Sequence, residues 1–161
     1  MYKLSEQLMQ MNEGAWKRHA NPLSVYTRYT ALPFLALSVW SRYWLGWDAL
    51  YPLLATFLWI WLNPRLFPAP KSLDSWASRG VMGEQLFLNR AQLVLPKSLL
   101  QGVHNWTALS VVGVIAMMYG LWQFNLIFTL AGMIVAMVAK TIFLDRMVKL
   151  YDHVNAATTK E

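Results

Sequence analysis

The stretch WIWLNPRLFPAP (59–70) decides how the chain is organised. It begins as one of the most apolar segments of the sequence and ends in Pro64, Pro68 and Pro70, with Arg65 among them. Proline lacks an amide donor and its ring obstructs the preceding helical turn. An apolar helix therefore ends at Asn63, and a bend leads into a polar segment. A greasy helix that stops beside charge is how a membrane span meets water, so the remaining sequence is read for further spans.

The 161 residues are 57% apolar and 14% charged, against about 45–50% and 25% in soluble domains. The apolar excess lies in four runs, Ser24–Trp44, Trp47–Leu62, Trp106–Trp122 and Phe124–Leu144. A helix needs about 20 mainly apolar residues, within roughly 17–25, to cross the hydrocarbon core. The first and last runs fit, the third is just adequate, and the second is short unless its flanks extend it. The expected fold is all-α, a single integral membrane domain over 1–161 with spans at about 24–44, 47–62, 106–122 and 124–144. Leu45-Gly46 and Gly120–Asn125 are short enough to make two antiparallel hairpins of these spans. A soluble helical bundle with an oversized core is the alternative. It gives no reason for Trp40, Trp44, Trp47 and Trp122 to gather at one face and Trp16, Trp59, Trp61, Trp76 and Trp106 toward the other. Amphipathic indoles favour both membrane–water interfaces.

Orientation follows from the cations. With both termini on one side, that side holds Lys3, Lys17, Arg18, Arg65, Lys71, Arg79, Arg90, Lys97, Arg146, Lys149 and Lys160, and the other only Arg42. Excess Lys and Arg marks the cytoplasmic side. The expectation is a multi-pass inner-membrane protein with both termini and the loop 63–105 in the cytoplasm. The pI near 9.7 then reflects contact with anionic lipid. It does not mark a nucleic-acid binder, because no basic stretch has the helix or aromatic-strand context of one. No signal peptide is read, since the first apolar run follows about 20 polar or mixed residues. The absence of cysteine excludes disulfides and thiolate chemistry.

In residues 1–20, Leu4, Leu8, Met11 and Ala15 recur at helical spacing among Lys3, Glu6, Glu13 and Lys17. This predicts an amphipathic helix on the cytoplasmic surface, with a frayed terminus as the competing reading. In the middle loop, Asp74 or Ser75 can cap a short helix, and Val81–Val94 alternates as an interfacial helix would.

The candidate site gathers at the cytoplasmic end. Arg28 lies on a stripe with Ser24, Ala31, Leu35, Ser38 and Arg42, at three- and four-residue steps. Small and polar residues on one face mark contact with other helices. Lys140 follows Ala136 by four residues and Gly132 by eight, so it too faces the bundle. An ion at the bilayer centre costs roughly 2.5–3.5 kcal/mol. Snorkelling to the surface is the simpler account of Lys140, which is about 7 Å from the end of its span; a shared anionic partner is the other. Asn21-Pro22 and Asn63-Pro64 fall side by side, with Arg65 and Arg146 close behind. Ser78, Arg79, Gly80 and Gly83 precede or open a helix, and free amides there suit an anion. Headgroup binding is thus assigned to Arg28, Arg65, Arg79, Lys140, Arg146 and Asn63. Glu84, Asp74 and Asp145 are the candidate acid or base groups, unless they are simply paired with Arg79, Arg90 or Arg146. His19, His104 and His153 form no ligand-spaced pair, and no acidic cluster has metal-binding spacing, so neither metal nor cofactor is expected.

The phrases NPLSVYTR (21–28), NPRLFPAP (63–70), WASRGVMGE (76–84) and FLDRMVKLY (143–151), taken as an ordered set, resemble a family of small prokaryotic integral membrane proteins of unknown function. The resemblance implies a stand-alone four-span protein and contributes no activity. Three functions compete. The first is a binding site or enzyme for an anionic amphiphile, a phospholipid or polyprenyl phosphate. The second is an accessory subunit pairing with itself or a larger complex through the faces Gly113/Ala116/Gly120 and Gly132/Ala136. The third is an oligomeric channel or transporter, disfavoured because no charge lies at mid-membrane.

Overall fold

The computed structural model describes residues 13–90 and 96–158, and every regular element among them is helical. The helices are α1 (Glu13–His19), α2 (Pro22–Arg28), α3 (Ala31–Trp40), α4 (Arg42–Leu45) and, after a 3-10 turn at Gly46–Ala49, α5 (Leu50–Leu66). They continue as α6 (Trp76–Leu88), α7 (Lys97–Leu100), α8 (Val103–Trp122) and α9 (Leu126–Thr158). Among the described residues, three segments are long and apolar enough to cross a membrane: Pro22–Leu66, Ser98–Trp122 and Leu126–Ala157.

The first of these doubles back on itself. Ser38 Oγ donates to the Pro52 carbonyl at 3.1 Å and lies 2.8 Å from Thr56 Oγ1. Trp59 Nε1 donates to Thr30 Oγ1 at 3.2 Å, and Asn63 Nδ2 to Thr27 Oγ1 at 2.7 Å. The partners run in opposite order along the chain, so the two arms are antiparallel. Within lipid such polar pairs are a main source of helix association, because apolar surface has nothing to gain by leaving an apolar solvent. The reversal uses Gly46 at φ 55°, a backbone region open to glycine without steric cost.

α5 does not stop at Asn63 as its sequence implies. It passes through Pro64 to Leu66. Pro64 lies in the last turn, where its missing amide costs a single hydrogen bond. The stop comes at Phe67, whose φ −96° and ψ 134° are what a residue preceding proline is pushed toward.

α8 and α9 form the second antiparallel pair, reversed at Phe124 (φ 52°). Asn125 caps the start of α9 by accepting from the Phe128 amide at 3.1 Å. Their contact depends on glycine. A Cβ on Gly113 would lie 2.5 Å from the Ala136 amide nitrogen, and one on Gly132 would lie 2.3 Å from that of Met117. The small-residue faces expected to seek a partner are thus filled by each other within the chain. The two pairs meet at Arg42, which donates to the Leu121 and Trp122 carbonyls at 2.9 and 3.1 Å and stands 4.0 Å over the Phe124 ring. Both reversals therefore lie at the same end of the molecule, ringed by exposed Tyr43, Trp44, Trp47 and Trp122.

The opposite end departs most from expectation. α9 does not close at Asp145-Arg146 but runs for 33 residues, about 50 Å at 1.5 Å rise per residue. That exceeds a hydrocarbon core of about 30 Å, so a helix this long that crosses a bilayer projects from it. An apolar face of Phe143, Met147 and Leu150 continues along the C-terminal part of α9 and is buried. α6 covers that part together with residues of α7 and α8; the helix runs over 76–88 where 81–94 was expected, and positions 91–94 fall outside the described residues. Gly80 meets the Leu144 side chain, and Gly83 meets the Met147 backbone. Ser75 caps α6 by accepting from the Ser78 amide at 3.0 Å. α1 is no free surface helix. Its Trp16, with neighbouring Ala20, is buried against Val25, Ala77, Val81 and Leu144. Leu4, Leu8 and Met11 of the expected amphipathic segment lie outside the described residues.

Candidate functional site

The site begins with an interrupted helix. The ring of Pro33 obstructs the carbonyl four residues earlier, at Tyr29. The chain tightens there, with Tyr29 and Thr30 donating to carbonyls three residues back, and α2 ends at Arg28. The Arg28 guanidinium folds back on its own helix. Nε donates to the Ser24 carbonyl at 3.1 Å, and Nη2 donates to the His19 carbonyl at 2.6 Å. His19 ends α1, where a cation complements the helix dipole. Arg28 Nη1 makes no hydrogen bond among the described residues.

Arg28 lines a cavity of about 230 Å³ with Glu84 of α6 and Lys140 of α9. Lys140 Nζ is 3.3 Å from Glu84 Oε1 and 4.4 Å from the centre of the Phe143 ring. Val25, Leu32, Val81, Met137 and Leu144 supply apolar wall. Tyr29 and Ser110 add polar groups, but both are engaged: Tyr29 with Thr141 at 3.1 Å, Ser110 donating to the Ala136 carbonyl at 3.2 Å. A cavity of this size has room for several waters or a compact headgroup. Its chemistry is two cations and one carboxylate on an apolar floor.

Of the nine residues assigned from sequence, three meet at this cavity. The other six lie elsewhere. Asn63, fully buried, accepts from Ser24 Oγ at 3.2 Å and donates to Thr27; its amide joins α5 to α2 and is not directed at a headgroup. Arg65 lies against its own helix, 4.2 Å over Trp61 with Nη1 donating to that residue's carbonyl at 2.5 Å. Arg79 forks onto both Asp152 oxygens at 3.1 Å. Asp145 pairs with Lys149 at 2.9 Å, while Arg146 stands half-buried on α9 away from the cavity. Asp74 closes a turn with Ser72 ahead of α6. The expected anion site at Ser78–Gly83 does not form either. Ser75 occupies the Ser78 amide, and the two glycines lie inside α6 as contact points for α9.

Sequence reasoning missed Tyr29 and Ser110, polar residues inside apolar runs. It also missed Pro33, whose place one turn after Arg28 was a legible sign of the break that ends α2. Among the described residues no group of His, Asp or Glu side chains could hold a metal ion.

The fold and this cavity define an all-α membrane protein with a charged cavity walled by helices from four parts of the chain. The model of a family of unknown function, DUF6653, matches residues 5–161, and the chain belongs to that family. No curated protein and no solved structure matches it.

Proposed function

We propose that this protein binds an anionic amphiphile, a phospholipid or polyprenyl phosphate, with its headgroup between Arg28 and Lys140 and its chains along the lipid-facing helices. In this reading both arms of Pro22–Leu66 cross the bilayer, giving four spans in an inner membrane. The Arg42 end faces outward, and both termini and the 63–105 loop are cytoplasmic. The distribution of Lys and Arg supports that orientation. One observation carries the binding role: two cations distant in sequence line a single cavity that is otherwise largely apolar. Basic pockets at the cytoplasmic ends of spans suit anionic headgroups. Glu84 alone of the three candidate carboxylates lines the cavity, so any proton transfer falls to it.

The accessory-subunit reading has less behind it, because the small-residue faces it relied on are occupied within the chain. Native mass spectrometry of the solubilised protein tests the proposal. The wild type retains lipid, and Arg28→Ala and Lys140→Ala lose most of it. Undiminished lipid in both variants refutes the assignment.

A further inference from the structure

We infer that the cavity is matched to one negative charge, so that its ligand is a phosphodiester headgroup carrying a hydroxyl, of the phosphoglycerol kind; this rests on the binding role proposed above. Arg28 and Lys140 bring two positive charges to the cavity and Glu84 one negative, a net of +1. Arg79 is matched by Asp152 and Lys149 by Asp145, both outside the cavity. Lys140 and Glu84 keep 47% and 27% of their side-chain surface open; where that surface meets hydrocarbon an uncompensated charge is costly, whereas a neutralised and hydrogen-bonded set is tolerated.

Three headgroup classes then separate. A phosphodiester with one negative charge brings the cavity to neutrality. A phosphomonoester, at about −1.5 to −2 near neutral pH, leaves excess negative charge beside Glu84. A zwitterionic phosphoethanolamine leaves the cavity at +1. The hydrogen-bonding groups favour the same choice. Arg28 Nη1 and the Lys140 ammonium hydrogens beyond its one bond to Glu84 are donors for the two free oxygens of a phosphodiester. Glu84 binds Lys140 through Oε1, and its Oε2 is left to accept from a headgroup hydroxyl.

The test uses the full chain in phosphatidylcholine nanodiscs containing equal fractions of phosphatidylglycerol, phosphatidate and phosphatidylethanolamine. Native mass spectrometry reads the lipid retained, with Arg28→Ala setting the non-specific level. The wild type retains phosphatidylglycerol about tenfold over either competitor, a difference of about 1.4 kcal/mol. Glu84→Gln raises the cavity to +2 and moves the preference to phosphatidate. Lys140→Gln lowers it to zero and erases the advantage of phosphatidylglycerol over phosphatidylethanolamine. Equal retention of the three lipids by the wild type overturns the charge matching, as does a preference left unmoved by both substitutions. Retention no higher than in Arg28→Ala overturns the binding role itself.

Discussion

Gly83→Ala separates docking of α6 on α9 from a helix that merely lies nearby. In an isolated helix this change is favourable by about 1 kcal/mol, because alanine loses less backbone entropy than glycine. Here the added methyl would lie 1.9 Å from the Met147 carbonyl oxygen and 2.6 Å from its carbon. Those are backbone atoms, so no rotamer change relieves the overlap. Restoring ordinary van der Waals separation requires the helices to part by about 1.5 Å. That parting loosens Ala77 and Val81 from Leu144, which share one core cluster. Overpacking of this kind costs about 1–3 kcal/mol and sometimes more. Because the overlap is with backbone atoms, the upper part of that range applies; set against the intrinsic gain, a net loss of about 1–2 kcal/mol remains, or about 2–8 °C in Tm for a chain of this size. Gly80→Ala is the control, since its methyl meets only the Leu144 side chain, at 2.7 Å, and that side chain can turn aside. Thermal unfolding in detergent places Gly83→Ala below both the wild type and Gly80→Ala. A Gly83→Ala protein as stable as the wild type refutes the docking. Glu84 follows Gly83, so the same shift lengthens the 3.3 Å bridge to Lys140, and lipid retention falls with Tm.

Asn63→Ala removes both hydrogen bonds joining α5 to α2 and lowers stability by about 1–3 kcal/mol. Retained lipid is unchanged in the molecules that stay folded, and a selective loss of lipid at unchanged Tm restores Asn63 as a headgroup ligand. Arg42→Ala removes the two Nη2 hydrogen bonds to the Leu121 and Trp122 carbonyls and lowers Tm. Arg42→Lys recovers only part of the loss, because an ammonium lacks the planar guanidinium that stacks over the Phe124 ring; full recovery in thermal unfolding shows that charge alone suffices.

The membrane character and the chain reversals were legible because each rests on a short-range signal. Run length sets spanning capacity, and Gly46 and Gly120–Asn125 mark the turns. The polar stripe was legible too: Ser24 and Ser38 recur at helical spacing, and both are buried against α5. What failed was reading helix ends from hydropathy. α9 continues past Leu144 because Phe143, Met147 and Leu150 keep their three- and four-residue steps while the residues between them turn polar. Mean hydropathy falls there, but the amphipathic period does not, and period decides whether a helix has a face to bury. Pro64 misled in the same direction, since a proline in a last turn costs little and the stop belongs to Phe67 before Pro68.

The same distinction explains which site residues came together. Six of the nine groups were gathered because they lay near the ends of apolar runs, which fixes depth in the bilayer but not bearing around a helix axis; Asp74, Arg79 and Glu84 came from the polar loop segment. Arg28 and Lys140 had a second coordinate: each continued a stripe of small residues, so each had a direction as well as a depth. Arg65, Arg79 and Arg146 had no such stripe, and none lines the cavity. Glu84 arrived by a route hydropathy cannot reveal, carried in on α6 because Gly80 and Gly83 let that helix approach α9 closely. A loop helix is brought against the spans by two missing methyl groups, and the carboxylate beside them becomes the counter-charge of the cavity. Contact-forming glycines in the loop, more than its arginines, were therefore the stronger sequence signal for where the site would form.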